Sequence, residues 1–106
     1  MDESNNYLLV KAERKLHKIA PESIVYIEGL KDYIRIHTLE EKIIVLENMK
    51  DILEKLPQKE FIRVHRSYII AANQIKLIEG NRIQLQNKEF IPIGETYRKA
   101  VNDWLK

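Results

Sequence analysis

The chain has 106 residues and no cysteine, which fits one small domain and excludes disulfides and thiolate metal sites. Its 18 Lys/Arg and 16 Asp/Glu give a net charge of +2, too small to indicate nucleic-acid binding by itself. No apolar run approaches the length of a membrane span and the N-terminus does not resemble a signal peptide, so we expect a cytoplasmic protein without a membrane segment.

Short strands are predicted for the N-terminal half of the chain. Residues 1–6 are polar, and we expect a flexible segment there, followed by a single domain over residues 7–106. In residues 33–38 apolar and polar side chains alternate strictly, as in a half-buried strand, and this pattern places His37 on the exposed face. The strands predicted in this half are 7–10, 16–20, 24–28, 33–38 and 43–46.

The periodicity becomes helical after residue 46. Apolar residues within 49–56 recur at the spacing of one helix face, Asn48 can cap this helix and Pro57 ends it. Helical spacing returns after Thr96, which we expect to cap a C-terminal helix.

Further strands are predicted between the two helices. Gly80-Asn81 favours a tight hairpin turn, and Pro92 means that its strand lies at a sheet edge or ends there, because proline lacks an amide hydrogen. The strands are 61–64, 68–71, 75–79, 82–85 and 90–93. Many short strands, two short helices and no βαβ alternation predict a mostly β domain.

A polar trio, His65-Arg66-Ser67, interrupts the apolar residues within 61–70. Arginine offers a planar fork of donors, and histidine and serine donate or accept, which suits phosphates and guanine edges. No acidic residue occurs within 61–78, so nothing local repels a polyanion. From these residues alone, a loop that contacts nucleic acid and a strand end with solvated charges are equally good interpretations.

No pattern indicates an enzyme, a metal site or a cofactor. The three histidines are scattered, and the three glycines lie in separate turns rather than in a phosphate-binding loop. His65 and Ser67 have the residue types of a base and a nucleophile, but the sequence signals neither an orienting group nor an oxyanion site. We therefore expect no catalytic or metal-binding residues.

Four stretches of the chain, in this order, resemble the LytTR family of bacterial DNA-binding domains. They are 24–29 with 32–38, similar to the central strand pair; 46–57, similar to the connecting helix; 61–70 with Asn73 and Ile75, the most characteristic run; and 90–94 into Tyr97, similar to the closing strand and loop. The resemblance extends over nearly the whole of residues 7–105.

The resemblance implies an elongated arrangement of small, mainly antiparallel sheets with two short helices. It implies sequence-specific binding of double-stranded DNA through loops that enter the major groove, commonly at paired direct repeats. It also implies a role as the output domain of a two-component response regulator, behind an N-terminal receiver domain. Since no receiver is present in this sequence, we expect a fragment or a stand-alone variant; whether it dimerises on DNA stays open.

Three loops would contact DNA if the family's pattern holds. Arg66 occupies the position that most often faces bases. The DNA-binding residues that the resemblance implies are Lys31, Asp32, Tyr33, His65, Arg66, Ser67, Glu95, Thr96 and Arg98. Gly94-Glu95 replaces the Ser-Arg of many relatives; a carboxylate repels phosphate, although glutamate can accept from cytosine N4.

Other interpretations are open for several of these residues. Lys31 and Arg98 could equally be ordinary solvated charges, and packing is the favoured role for Tyr33 and Tyr97. Two other functions remain. One is a protein-interaction module that binds a partner through an exposed sheet edge, for which the Pro92 strand is a candidate. The other is a single-stranded nucleic-acid binder that stacks bases on tyrosines.

Overall fold

The computed structural model describes residues 7–105, so the flexible segment predicted for residues 1–6 lies outside the described residues. Within this range the strands are β1 (Leu8–Ala12), β2 (Lys15–Ile19), β3 (Ile24–Gly29), β4 (Ile34–Thr38), β5 (Lys42–Val45), β6 (Phe61–His65), β7 (Tyr68–Ala71), β8 (Ile75–Glu79), β9 (Arg82–Leu85) and β10 (Phe90–Pro92). The helices are α1 (Met49–Glu54) and α2 (Arg98–Trp104), with 3-10 turns at Pro21–Ser23, Ala72–Gln74 and Glu95–Tyr97. Neither helix is long and apolar enough to cross a membrane.

Three antiparallel sheets contain these strands. A five-stranded sheet has the order β5-β4-β3-β7-β6, a three-stranded sheet the order β10-β9-β8, and β1 pairs with β2 alone. The predicted mostly β fold of small antiparallel sheets with two short helices is confirmed. The edge position predicted for the Pro92 strand is also confirmed, because β10 is an outer strand of its sheet.

Two hydrophobic cores lie on opposite faces of the five-stranded sheet. The first contains apolar side chains of β1, β2 and α1, and the second those of β9, β10 and α2. A bulge in β3 allows Ile24 and Ile27 to enter the first core while Val25 and Tyr26 enter the second. Strand β3 is therefore buried on both faces, which makes it a rigid centre for the loops at its end.

Two of the tight hairpin turns have left-handed backbone conformations. Gly80 has a φ of 61° between β8 and β9, as the predicted Gly-Asn turn requires. Between β1 and β2, Glu13 and Arg14 have φ values of 53° and 65°. Side chains make that conformation costly, so this second turn carries backbone strain that the hairpin's packing must offset.

The start of α1 agrees with the prediction and the start of α2 does not. The Asn48 side chain accepts a hydrogen bond from the Asp51 amide at 2.8 Å, which confirms Asn48 as a cap. The cap predicted at Thr96 is wrong, because α2 begins at Arg98 and no side chain caps it. The Tyr97 amide donates to the Gly94 carbonyl instead, which closes a 3-10 turn ahead of the helix.

The surface position predicted for His37 is wrong. Its side chain is buried, its ring stacks on Tyr26 with centroids 4.0 Å apart, and its Nε2 lies 3.0 Å from Glu28 Oε1. Arg35 Nη1 donates to the same carboxylate oxygen at 3.0 Å. Burial of His37 is tolerated because this carboxylate supplies a polar partner from the neighbouring strand.

Candidate nucleic-acid interface

Three loops meet at one end of the five-stranded sheet. Loop 1 (residues 30–33) connects β3 to β4, loop 2 (residues 65–67) connects β6 to β7, and loop 3 (residues 94–98) leads from β10 into α2. Because β3 and β7 are antiparallel neighbours, with Glu28 opposite Tyr68, the end of β3 lies beside the start of β7. The topology thereby brings together the three segments that the sequence analysis singled out.

Loop 1 is linked to loop 2 through main-chain atoms. The Gly29 amide donates to the Ser67 carbonyl oxygen at 2.8 Å. A Cβ atom on Gly29 would lie 3.2 Å from Met49 Cγ and 3.5 Å from Ser67 Cα. The missing side chain therefore allows the two loops and the start of α1 to approach closely.

Loop 3 is linked to loop 2 in the same manner. The Gly94 amide donates to the Val64 carbonyl oxygen at 2.8 Å, and a Cβ on Gly94 would lie 3.5 Å from His65 Cα. That atom would also lie 3.1 Å from Tyr97 Cδ2, inside ordinary van der Waals distance. The second glycine thus places loop 3 directly against loop 2, which lies between the other two loops.

Loop 2 also has an internal hydrogen bond that fixes the histidine. The Ser67 amide donates to His65 Nδ1 at 3.0 Å, so Nδ1 is an acceptor and the neutral ring has its proton on Nε2. Arg66 next to it is exposed, and no carboxylate among residues 7–105 lies within 4 Å of its guanidinium. The loop therefore presents an exposed cation beside an oriented imidazole.

Arg63, which the sequence analysis did not select, contacts the underside of loop 2. Its Nη2 donates to the Arg66 carbonyl oxygen at 2.6 Å and its Nε to the His65 carbonyl oxygen at 3.4 Å. Its guanidinium carbon also lies 5.8 Å from the centroid of the Tyr97 ring. In sequence, Arg63 looks like any polar residue of an alternating strand, so only the folded loop identifies it.

The other predicted residues lie on loops 1 and 3, and all of them are exposed. They are Lys31, Asp32, Tyr33, Glu95, Thr96 and Arg98. Tyr33 precedes β4 and is 47% exposed, so about half of it is covered and its packing role stays a prediction. Tyr97 packs against the second core, which confirms the packing role predicted there.

A groove of about 850 Å³ separates loop 1 from the start of α1. Its charged lining is mixed, and consists of Lys31, Lys50 and Arg63 with Asp32, Glu47 and Asp51. Because cations and carboxylates line it in equal number, the groove has no single sign of charge that would attract an anion by itself.

Aromatic rings support loop 2 from within the sheet. The His65 ring lies 5.4 Å from the Tyr68 ring, and the Tyr68 ring 6.2 Å from that of Tyr26. Burial, with the nearby carboxylates of Glu89 and Glu28, raises the pKa of Tyr26 to about 12. Tyr26 therefore stays neutral at any physiological pH and serves as packing rather than as an acid or base.

Residues 7–105 offer no cluster of three or more histidine or carboxylate side chains that could hold a metal ion. What they do offer is a small, mostly β scaffold that holds three polar loops together at one end of a sheet buried on both faces. That arrangement defines a class of mostly β domain whose exposed polar surface at this end is formed by loops. Residues 14–106 match the family described as the LytTr DNA-binding domain, and the chain belongs to this family.

Curated relatives and a solved structure agree with this assignment. The chain is 32% identical over 72 residues to the transcriptional regulatory protein NatR of Bacillus subtilis strain 168, covering 68% of the chain and 31% of that protein. It is 28% identical over 105 residues to the sensory transduction protein LytT of Bacillus cereus, covering 93% and 42%. The chain therefore spans less than half the length of these relatives.

The solved structure is the LytTr DNA-binding domain of a methyl-accepting/DNA response regulator from Bacillus cereus. It superposes with a TM-score of 0.83 over 93% of this chain and 95% of that one, at 21% sequence identity. At this identity the likeness establishes the fold.

Proposed function

We propose that the chain is a sequence-specific, double-stranded DNA-binding output domain of a bacterial transcriptional regulator. The observation that carries the proposal is the joining of loops 1, 2 and 3 by main-chain hydrogen bonds, with the exposed Arg66 on the central loop. Joined loops keep their relative positions, so donors on each can be matched to a fixed pattern of groove atoms.

Arg66 and His65 are the residues that we assign to base reading. An arginine fork can donate two hydrogen bonds to guanine O6 and N7, a contact that contributes about 1–3 kcal/mol of discrimination. His65 would donate from Nε2, because Nδ1 is occupied by the Ser67 amide. These two side chains lie where β6 ends and the chain turns into β7. A pair of strands suits the width of the major groove, which admits a two-stranded β-ribbon.

Lys31 and Arg98 are assigned to phosphates. Ser67 and Thr96 would add contacts through their hydroxyl groups, and Tyr33 through its ring and hydroxyl. Both cations are exposed at opposite sides of loop 2, which suits contacts with the sugar-phosphate backbone on either side of a groove. These contacts would set register and supply the salt-dependent part of the affinity.

The two carboxylates of the surface, Asp32 and Glu95, are assigned to bases rather than phosphates. Each is exposed and would repel a phosphate, whereas a carboxylate can accept from the N4 amino group of cytosine. Their presence on loops 1 and 3 would add discrimination at the ends of the site. It would also lower nonspecific affinity, since the three loops together carry nearly balanced charge.

The partners that we propose follow from the relatives. Their names describe transcriptional regulation and sensory transduction, and the chain spans less than half their length. We therefore propose that the domain works in the cytoplasm behind an N-terminal receiver domain of a two-component response regulator. Its target would be paired direct repeats.

A second candidate function is binding of a partner protein at a sheet edge. The outer strand β8 leaves Leu77 and Ile78 about two-fifths exposed, which favours strand addition there over the Pro92 strand considered from the sequence. Such binding would depend weakly on salt and would not require DNA.

Selection from a random duplex library tests the proposal. We expect enrichment of a repeated motif, followed by salt-sensitive fluorescence anisotropy on that duplex that is lost when its sequence is scrambled. Absence of any enriched motif, with no binding even at low salt, would reject DNA reading and favour the sheet-edge function. Tighter binding to either single strand than to the duplex would favour the single-stranded alternative.

A further inference from the structure

We propose that Arg63 is a positioning residue that holds loop 2 in the conformation from which Arg66 and His65 read bases. This inference rests on the proposed function. Arg63 itself would not contact DNA. It would act through the main chain of the two residues whose side chains do.

The geometry separates the two arginines of this segment. Arg66 is exposed and projects from the loop, whereas Arg63 is half-buried on β6 and turns back beneath the loop. Its guanidinium donates one hydrogen bond to the His65 carbonyl oxygen at 3.4 Å and one to the Arg66 carbonyl oxygen at 2.6 Å. The two residues that carry the reading side chains are therefore the two whose carbonyl groups Arg63 holds.

Loop 2 requires additional hydrogen bonds at this point because the end of β6 is irregular. The register between β6 and β7 shifts between Arg63 and His65, so the ladder that would normally fix the strand end is interrupted. Hydrogen bonds from a charged donor are stronger than neutral ones and can replace that constraint.

Arg63 also connects loop 2 with loop 3. Its guanidinium carbon lies 5.8 Å from the Tyr97 ring centroid, and Tyr97 in turn packs against the second core. One planar group thus contacts the main chain of loop 2 and an anchored ring of loop 3. Lysine would do this less well, because its ammonium is a point charge without the planar fork of donors and cannot stack as a plane on the ring.

A double-mutant cycle tests this role. The variants are Arg63→Gln, Arg66→Ala and the double variant, measured by anisotropy on the selected duplex and a scrambled duplex at several salt concentrations. We expect Arg63→Gln to weaken binding to the selected duplex roughly tenfold, the factor that corresponds to one charge-assisted hydrogen bond, and to leave scrambled binding and the salt slope unchanged. In the Arg66→Ala background the same change should have a clearly smaller effect, because only the contact made by His65 is then left to lose.

A matched control is Arg82→Gln. Arg82 is also an arginine over an aromatic ring, 3.8 Å from the Phe90 centroid, but it lies on β9 and pairs with Glu79. The Arg82→Gln variant should leave the ratio of selected to scrambled binding unchanged. Arg63→Lys keeps the charge and should recover only part of the tenfold loss.

Amide exchange and ¹⁵N relaxation of the free protein give a readout that needs no DNA. Arg63→Gln should speed amide exchange and lower the order parameters at Arg66 and Ser67, while Arg82→Gln should not. Unchanged loop order overturns the inference, even if the wild-type chain selects no DNA motif and the proposed function fails. If the wild-type chain selects a motif but Arg63→Gln leaves the ratio of selected to scrambled binding unchanged, the inference alone is overturned. Equal losses on both duplexes, with a shallower salt slope, would make Arg63 a phosphate contact.

Discussion

The amide of Gly29 donates to the carbonyl oxygen of Ser67 at 2.8 Å, so the turn after β3 and the loop after β6 form one unit. These residues are far apart in sequence and meet because β3 pairs with β7. A displacement of loop 1 must therefore move loop 2 as well.

Arg66→Ala should remove sequence discrimination and leave nonspecific binding nearly intact. The exposed guanidinium has no ion-pair partner among the described residues, so its loss should cost little stability. On the selected duplex we expect a loss of about 1–3 kcal/mol, measured by anisotropy. Equal losses on the selected and scrambled duplexes would instead make Arg66 a phosphate contact, and Arg82→Ala is the control.

Lys31→Ala should weaken selected and scrambled duplexes alike. A phosphate contact contributes without regard to sequence, and its removal should lower the slope of log affinity against log salt by about one. Titrations at several salt concentrations measure that slope. Lys15→Ala, an equal change of charge on the β1–β2 hairpin, should leave it unchanged, and a normal slope for Lys31→Ala would remove Lys31 from the interface.

Gly94→Ala should impair DNA binding more than stability. Gly94 has a φ of −68°, which alanine adopts readily, but the added Cβ would lie 3.1 Å from Tyr97 Cδ2 and displace that ring. The displaced ring should lower stability by about 0.5–1.5 kcal/mol, the cost of an off-rotamer side chain, and thermal unfolding measures that loss. Specific binding, measured by anisotropy, should fall by more than this amount because loop 3 is displaced from loop 2.

Gly80→Ala offers the reverse pattern. Gly80 has open space where a Cβ would be built, but its φ of 61° is unfavourable for alanine. Stability should fall by about 1–2 kcal/mol while the folded protein still binds the selected duplex. If both glycine variants lost binding and stability in the same proportion, close packing of loops 2 and 3 would not explain why position 94 requires glycine.

Neutral His65 should be found as the Nε2–H tautomer. The Ser67 amide donates to Nδ1 at 3.0 Å, which requires an unprotonated nitrogen there. Long-range ¹H–¹⁵N NMR correlations of the ring distinguish the two tautomers directly. The Nδ1–H tautomer, or a mixture equal to that of a free histidine, would contradict the hydrogen bond and the donor role assigned to Nε2.

Alkaline unfolding should depend on Tyr26. Its pKa is about 12 in the folded protein and 10.0 in the unfolded chain, so the folded state retains the proton that the unfolded state loses. The resulting stability is complete below pH 10 and is lost as the pH rises towards 12. Tyr26→Phe removes this ionisation, and denaturant midpoints measured from pH 9 to 12 should then fall less steeply than those of the wild-type protein.

Elements whose geometry depends on neighbours in sequence were predictable. The side chain of Asn48 reaches an amide three residues away, and the conformation of Gly80 is set by the two-residue turn itself. The polar trio was predictable as an interruption between two apolar strands, and His65 proves to be the last residue of β6 while Arg66 and Ser67 form the turn. The family resemblance then placed all three loops in the right order.

Features that depend on a distant partner were not predictable. His37 alternates like an exposed residue, and its burial depends on Glu28 from the adjacent strand. The cap at Thr96 failed because Gly94 accepts the Tyr97 amide and starts a tighter turn. Arg63 could not be distinguished from other strand arginines until the bulge and the carbonyl groups of loop 2 were in place.

The links of Gly29 to Ser67 and of Gly94 to Val64 join only main-chain atoms. Every residue except proline has these atoms, so the side chains at the loop tips can change without loosening the frame. Substitutions at positions 31, 32, 66 and 95 should therefore be able to redirect the domain to new operator sequences at little cost in folding. A domain joined in this way can diverge in target while its scaffold stays the same, and it is a suitable starting point for engineered repressors.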